Sequence, residues 1–125
     1  MASPYNIKLY TIFSAEAIEK MNGARGKMVA QGGHAFVGAL LDSMRRFPKD
    51  AKAYMESGGV AKIALIAPEA ELHQLLAAYK SVCGVDMIVD AAHTVFKEPT
   101  LTCLGLGPIN VKHIGADLKA IKIFN

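Results

Sequence analysis

The chain has 125 residues, 52% of them hydrophobic and 20% charged, which supplies one compact domain with a real core and no surplus for a second. A formal net charge of +3 tolerates a polyanionic partner without demanding one, and the only two cysteines, Cys83 and Cys103, stand in no CxxC spacing, which excludes a disulfide framework or a zinc site as the organising device. The start, MASPYNIKLY, lacks the basic and apolar regions of a secretion signal, and no segment approaches the ~18 apolar residues needed to span a bilayer, so a soluble protein in a reducing cytoplasm, without a membrane partner, is expected.

In chain order, NIKLYTIF (Asn6 to Phe13) is rich in β-forming residues and predicts a first strand with one well-buried face. Ser14 to Gly26 mixes a helix-like piece, AEAIEKM, with the breaker-rich NGARG and reads as a long connection rather than a regular element, of the kind that often carries function. From Lys27 to about Phe47, Val29, Phe36, Val37, Leu40, Leu41 and Met44 recur at spacings of three, four and seven, an amphipathic helix that Pro48 ends. Lys49 to Ser57 predicts a second short helix before Gly58 and Gly59.

Ala61 to Ala67 is a continuous apolar run, the pattern of a strand covered on both faces, and Pro68 opens a helix to about Val82 that Gly84 caps. Val85 to Ala91 and Leu101 to Leu106 are the third and fourth strands, the latter ended by Gly107 and Pro108, and their short link predicts antiparallel neighbours. A last helix covers Asn110 to about Lys119. The order predicts an α/β fold over residues 1–125, with a four-stranded mixed sheet of parallel strands plus one antiparallel pair and helices on both faces. The apolar tail AIKIF points to pairing with the sheet or with a second subunit in a homodimer.

Positions i, i+4 and i+7 share a helix face, so Lys27, Gln31 and His34 line one polar stripe near a helix entrance, with Gly32 and Gly33 beside it making room for another backbone or a ligand. On spacing alone the stripe reads first as a solvated face, with His34 a hydrogen-bonded boundary residue. NGARGKM is no phosphate loop, since Met21 and Met28 stand where glycine and a hydroxyl are needed, and GLGP lacks the third glycine of a dinucleotide fingerprint. Asp90 ends a strand, where α/β proteins build their sites; it either orients a water and holds a lysine or bonds its own backbone in a turn. Thr94 and Thr102 flank the following connection as hydroxyl donors. No HxxxH or HExxH spacing joins the histidines, so no metal is assigned.

RGKMVAQGGHA (Arg25 to Ala35), GVAKIALIAPEAEL (Gly59 to Leu72) and DAAHTVFKEPTLTCLGLGP (Asp90 to Pro108) resemble, in order, successive segments of the type 2 peptidyl-tRNA hydrolases. The resemblance covers nearly everything after Arg25. It implies hydrolysis of the ester joining a peptide to the terminal ribose of a tRNA, with no cofactor and with the tRNA held through its phosphates. It further implies Lys27, Gln31, Asp90, Thr94 and Thr102 as the catalytic set, with His34 and His93 at substrate-contact positions; Arg25, Lys97 and Lys112 are candidate rim cations because a nonspecific grip on phosphates needs positive charge. Three departures stand out. His93 occupies the family's arginine position, Val95 a glutamine position and Ala92 a glycine position. The other reading of the same fold is a non-catalytic module that binds RNA or a small ligand; retention of Lys27, Gln31, Asp90 and Thr102 favours the enzyme.

Overall fold

The computed structural model describes residues 3–92 and 96–125. Its elements are β1 (Ile7–Ser14), α1 (Ala15–Met21), α2 (Arg25–Arg46), α3 (Pro48–Glu56), β2 (Lys62–Ala67), α4 (Glu69–Tyr79), β3 (Val85–Asp90), β4 (Thr100–Asn110), a 3-10 turn at Val111–His113, α5 (Ala116–Lys119) and β5 (Lys122–Ile123).

The sheet has five strands in the order β3-β4-β1-β2-β5, where four were expected. The fifth comes from the tail: Lys122 and Ile123 pair antiparallel with Ile66 and Leu65, and Phe124 sets its ring 4.9 Å from that of Phe13. Two residues are too few for alternation to register in a sequence. The helix-linked β1 and β2 pair in parallel, as their connection requires, but β4 inserts between β1 and β3 and runs antiparallel to both. Three antiparallel pairs therefore replace the single one expected. β1, at the centre of the sheet, is buried on both faces rather than one: Tyr10 and Ile12 pack with α4 residues Leu72 and Leu75, while Leu9 and Phe13 face α2 and α3.

Four local expectations are corrected. AEAIEKM is a genuine helix, α1, opened by Ser14, whose hydroxyl accepts from Ala17 N at 3.2 Å, and closed by Asn22 in the left-handed region at φ 47°. It packs Ala17 and Met21 against Phe96 and forms part of the core. β4 does not stop at Gly107 and Pro108 but runs through them to Asn110; a register shift between Lys8 and Tyr10 of β1 absorbs the extra residue, and a bulge is where a strand tolerates proline. Gly84 is no helix cap, since α4 ends at Tyr79; a Cβ there would meet the Ala39 carbonyl oxygen at 2.4 Å, so its bareness lets α2 lie close on the sheet. The last helix is split at Ile114, whose side chain is buried, into the 3-10 turn and α5.

α2 departs from simple amphipathicity. Its buried line is small, Gly32, Ala35, Ala39 and Ser43, whereas Val29, Val37, Leu41 and Met44, expected on the core face, are exposed. Small residues let the helix axis sink towards the sheet: a Cβ at Gly105 of β4 would lie 2.0 Å from the Ala35 carbonyl oxygen, and one at Gly32 would lie 3.0 Å from the Phe13 ring. At 100° per residue the helix then has a small-residue floor, a polar flank carrying Lys27, Gln31 and Asp42 towards β3 and β4, and an apolar flank on the other side.

Candidate active site

The polar flank of α2 meets the carboxyl end of β3 and the start of β4, the end of the sheet where open α/β folds place their sites. Lys27 Nζ lies 2.5 Å from Asp90 Oδ2, with only 18% and 6% of the two side chains exposed. Gln31, one turn on, donates from Nε2 to the same Oδ2 at 3.3 Å and accepts at Oε1 from Thr102 Oγ1 at 2.7 Å. The amide is thus read at both ends, which fixes which way it points. Asp90 Oδ1 accepts the Ala92 N–H at 2.8 Å. Lys27, Gln31, Asp90 and Thr102, picked from two motifs separated by some 60 to 70 residues, share one network.

A break in the pleat makes this convergence. Ile88 pairs with Cys103 but Val89 pairs with Leu101, leaving Thr102 as the extra residue of a bulge. Without it, Thr102 and Cys103 would point to opposite faces; with it, Thr102 reaches Gln31 Oε1 while Cys103 Sγ donates to the Gln31 carbonyl oxygen at 3.3 Å. Burial pushes the Cys103 thiol up to about 12, so it is protonated at neutral pH and is no nucleophile. Thr11 supports the same turn from β1, donating to the Gly32 carbonyl oxygen at 2.9 Å. Neither glycine makes room beside the polar stripe: Gly32 faces Phe13, and Gly33 opens on the apolar flank.

Of the other expected residues, Arg25 is exposed in the first turn of α2, a helix start with no side-chain cap and no acidic residue. Its unpaired N–H groups and dipole reinforce the two cations there. His34 is exposed a turn beyond Gln31, with Asp86 as a charged neighbour. Lys97 is exposed beside Lys20, Phe96, Glu98 and Thr100 around a cavity of about 470 Å³. Thr100 is the cross-strand partner of Asp90, which puts that cavity next to the network. Lys20 was not singled out from the sequence; only its place on α1 gives it this position. Lys112 sits past the far end of β4 and is no part of this rim. His93 and Thr94 lie outside the described residues. Among the described residues no three His, Cys, Asp or Glu side chains gather as a metal site would require.

Ala92 has an unusual backbone conformation among the described residues of the site. Its φ of 69° lies in the left-handed region, where an alanine is strained and a glycine is not. That geometry turns its N–H back onto Asp90.

The chain is similar over most of its length to proteins of one family. The family described as "Peptidyl-tRNA hydrolase PTH2" matches residues 17–124, which takes in most of α1 as well as the motifs named above. The chain is 36% identical over 87 residues to a peptidyl-tRNA hydrolase of Methanocaldococcus jannaschii, covering 67% of this chain and 74% of that one. It is 34% identical over 104 residues to a peptidyl-tRNA hydrolase of Methanothermobacter thermautotrophicus, covering 78% and 88%. It is also 34% identical over 102 residues to the mitochondrial peptidyl-tRNA hydrolase 2 of Mus musculus, covering 80% of this chain and 56% of that one. With the family matched over nearly the whole length of the fold, this chain belongs to the PTH2 family of peptidyl-tRNA hydrolases.

Proposed function

We propose that the network of Lys27, Asp90, Gln31 and Thr102 hydrolyses the ester between a peptide and the terminal ribose of tRNA. A water adds to the ester carbonyl, negative charge builds on its oxygen, and the bond to the ribose oxygen breaks, with that oxygen taking a proton. Lys27 supplies positive charge to the developing oxyanion from a largely water-excluded position, where a charge acts more strongly than in bulk solvent. Asp90 holds the ammonium in place and positions the attacking water; Gln31, fixed by Thr102, orients the ester. An ester leaves more readily than an amide, so no covalent nucleophile is required. Thr94 adds a hydroxyl to this set. Arg25, Lys97 and Lys20 grip phosphates around the cleft, with His34 and His93 as further substrate contacts. Two buried, unpaired cysteines suit a reducing cytoplasm, and no helix among the described residues is long and apolar enough to cross a membrane.

The observation that carries this reading is the Lys27–Asp90 ion pair closed by Gln31 beside a cavity bordered by Lys20, Lys97 and Glu98. Purified protein incubated with an N-blocked aminoacyl-tRNA is expected to release free tRNA. No release above buffer refutes the reading, and salt-sensitive binding without release assigns the non-catalytic alternative. Binding weakens as salt rises, and Lys20→Ala and Lys97→Ala each lower the slope of log affinity against log salt by about 0.7 to 0.9 if each meets one phosphate. Unchanged slopes remove those two lysines from the rim.

A further inference from the structure

β3 stands at one edge of the sheet. Among the described residues it pairs with β4 alone, so its other side carries no strand. Three hydrogen bonds fix which of its residues look outward. From β4, Gly107 N donates to the Gly84 carbonyl oxygen at 2.8 Å and Thr102 Oγ1 to that of Ile88 at 3.3 Å, whereas Val85 N donates away from β4, to Asp42 Oδ2 at 2.9 Å. The N–H and C=O of one strand residue point the same way and alternate with those of the next, so Val85, Met87 and Val89 present theirs to the open edge. The Thr102 bulge adds its residue to β4 and leaves this alternation intact. The edge has two defined ends. At Val85 it is closed, because Asp42, itself held by Arg46, takes the N–H. At the other end Val89 is followed directly by Asp90, the partner of Lys27. β3 carries neither lysine nor proline, the usual blocks on edge pairing, and the Val89 side chain is 58% exposed.

We propose that this edge holds the peptide of peptidyl-tRNA as an added parallel strand, a reading that rests on the hydrolysis proposed above. The ester sets the direction. The esterified carboxyl end of the peptide belongs at the Asp90 end, and β3 itself runs towards Asp90, so the two strands are parallel. In parallel pairing the peptide residue opposite Ile88 donates its N–H to the Met87 carbonyl oxygen and accepts the Val89 N–H. Two residues on, the esterified residue lies opposite Asp90 and donates its N–H to the Val89 carbonyl oxygen, which brings its ester carbonyl to the end of the groove where Lys27 stands. The residue between these two points its N–H and C=O away from β3. Main-chain bonds give affinity without reading side chains, so peptides of different sequence are held alike. Continuity with the network is what selects this occupant: the edge leads into Asp90 and is shut at its other end.

The test is hydrolysis of tRNAs carrying N-acetylated peptides from one residue upwards. The wild-type kcat/KM is expected to rise about fivefold for each main-chain bond gained and to stop rising once the peptide passes Val85. An N-methyl on the amide two residues before the esterified one, where the N–H faces Met87, is expected to cost about fivefold or more. The same methyl one residue nearer the ester, facing away from β3, is expected to cost nothing. Val89→Pro removes an outward N–H at an edge position, where a strand accepts proline; it is expected to lower kcat/KM for the longer peptides and leave that for N-acetylaminoacyl-tRNA unchanged. A kcat/KM that ignores peptide length leaves this edge to a protein strand and overturns the proposal. Equal losses with the methyl at either position overturn it too, as does a Val89→Pro variant that handles long peptides like the wild type. Absence of release from every substrate refutes hydrolysis itself and the proposal with it, so the two failures are told apart.

Discussion

Thr102 shows what one hydroxyl contributes at this site. Its side chain is fully buried and its proton goes to Gln31 Oε1, which leaves the amide nitrogen aimed at Asp90. Thr102→Val keeps the shape and removes that bond, worth about 1 kcal/mol, so single-turnover hydrolysis is expected to slow by roughly fivefold, with Thr102→Ser restoring it. A purely structural threonine would give the same melting loss for both replacements and no rate recovery with serine. Ala92 predicts the opposite sign: Ala92→Gly relieves a left-handed alanine and raises stability by about 1 kcal/mol, readable in urea denaturation, and a loss of stability would show that the strain is not there. The residues of the network were legible through the resemblance of two motifs; spacing put Lys27 and Gln31 on one helix face and Asp90 at a strand end, but by itself it did not separate a site from a solvated face. The bulge that turns Thr102 towards them was not legible, since LTCLGL alternates no differently with or without it, and Lys20 was hidden because α1 read as a connection.

At the scale of elements, α2 is seated by what its neighbours lack. Gly105→Ala would drive a methyl into the Ala35 backbone carbonyl at 2.0 Å, an atom that cannot swing aside. A destabilisation of about 3 kcal/mol is expected, and a neutral result in denaturant titration would mean that the helix rides higher on the sheet. The other end of α2 is held by Asp42, which accepts from Arg45 Nη2 at 2.7 Å, Arg46 Nη2 at 2.6 Å and Val85 N at 2.9 Å, while Arg46 Nη1 donates to the Lys80 carbonyl oxygen at 2.7 Å. The Arg46 guanidinium, with help from Val85 N–H and Arg45, holds the Asp42 carboxyl well below the usual carboxylate range despite its desolvation. A depressed value means that the ionised form stabilises the fold at neutral pH, and that this contribution is lost as pH falls from about 4, the unfolded value, towards the folded one. Asp42→Asn is therefore expected to cost about 2 kcal/mol at pH 7, with the gap to wild type closing in melts taken at progressively lower pH. A gap independent of pH would contradict this. The length of α2 was legible from its spacing, but its orientation was not: periodicity marks an apolar stripe without saying whether core or partner covers it, and here the core took the small residues instead.

For the molecule as a whole, strand and helix order was readable because each long element carries its own period and its own stop, such as Pro48 after α2. Sheet order was less so. That β4 inserts between β1 and β3 follows from long-range pairing that no local pattern encodes, and the two-residue β5 falls below any periodic signal. The arrangement nevertheless has a functional consequence: antiparallel β4 brings its first residues beside the last of β3, which is what sets Thr100 and Thr102 around Asp90. The central claim is that Lys27 and Asp90 act together in ester hydrolysis, and single-turnover release of tRNA from N-blocked aminoacyl-tRNA by wild type, Lys27→Ala, Asp90→Asn and the double variant measures it directly. Each single change is expected to lower the rate by about 10² or more, with the double variant no slower than the worse single one because the two residues work as a unit. Rates within a few-fold of wild type in variants that remain folded would contradict the account.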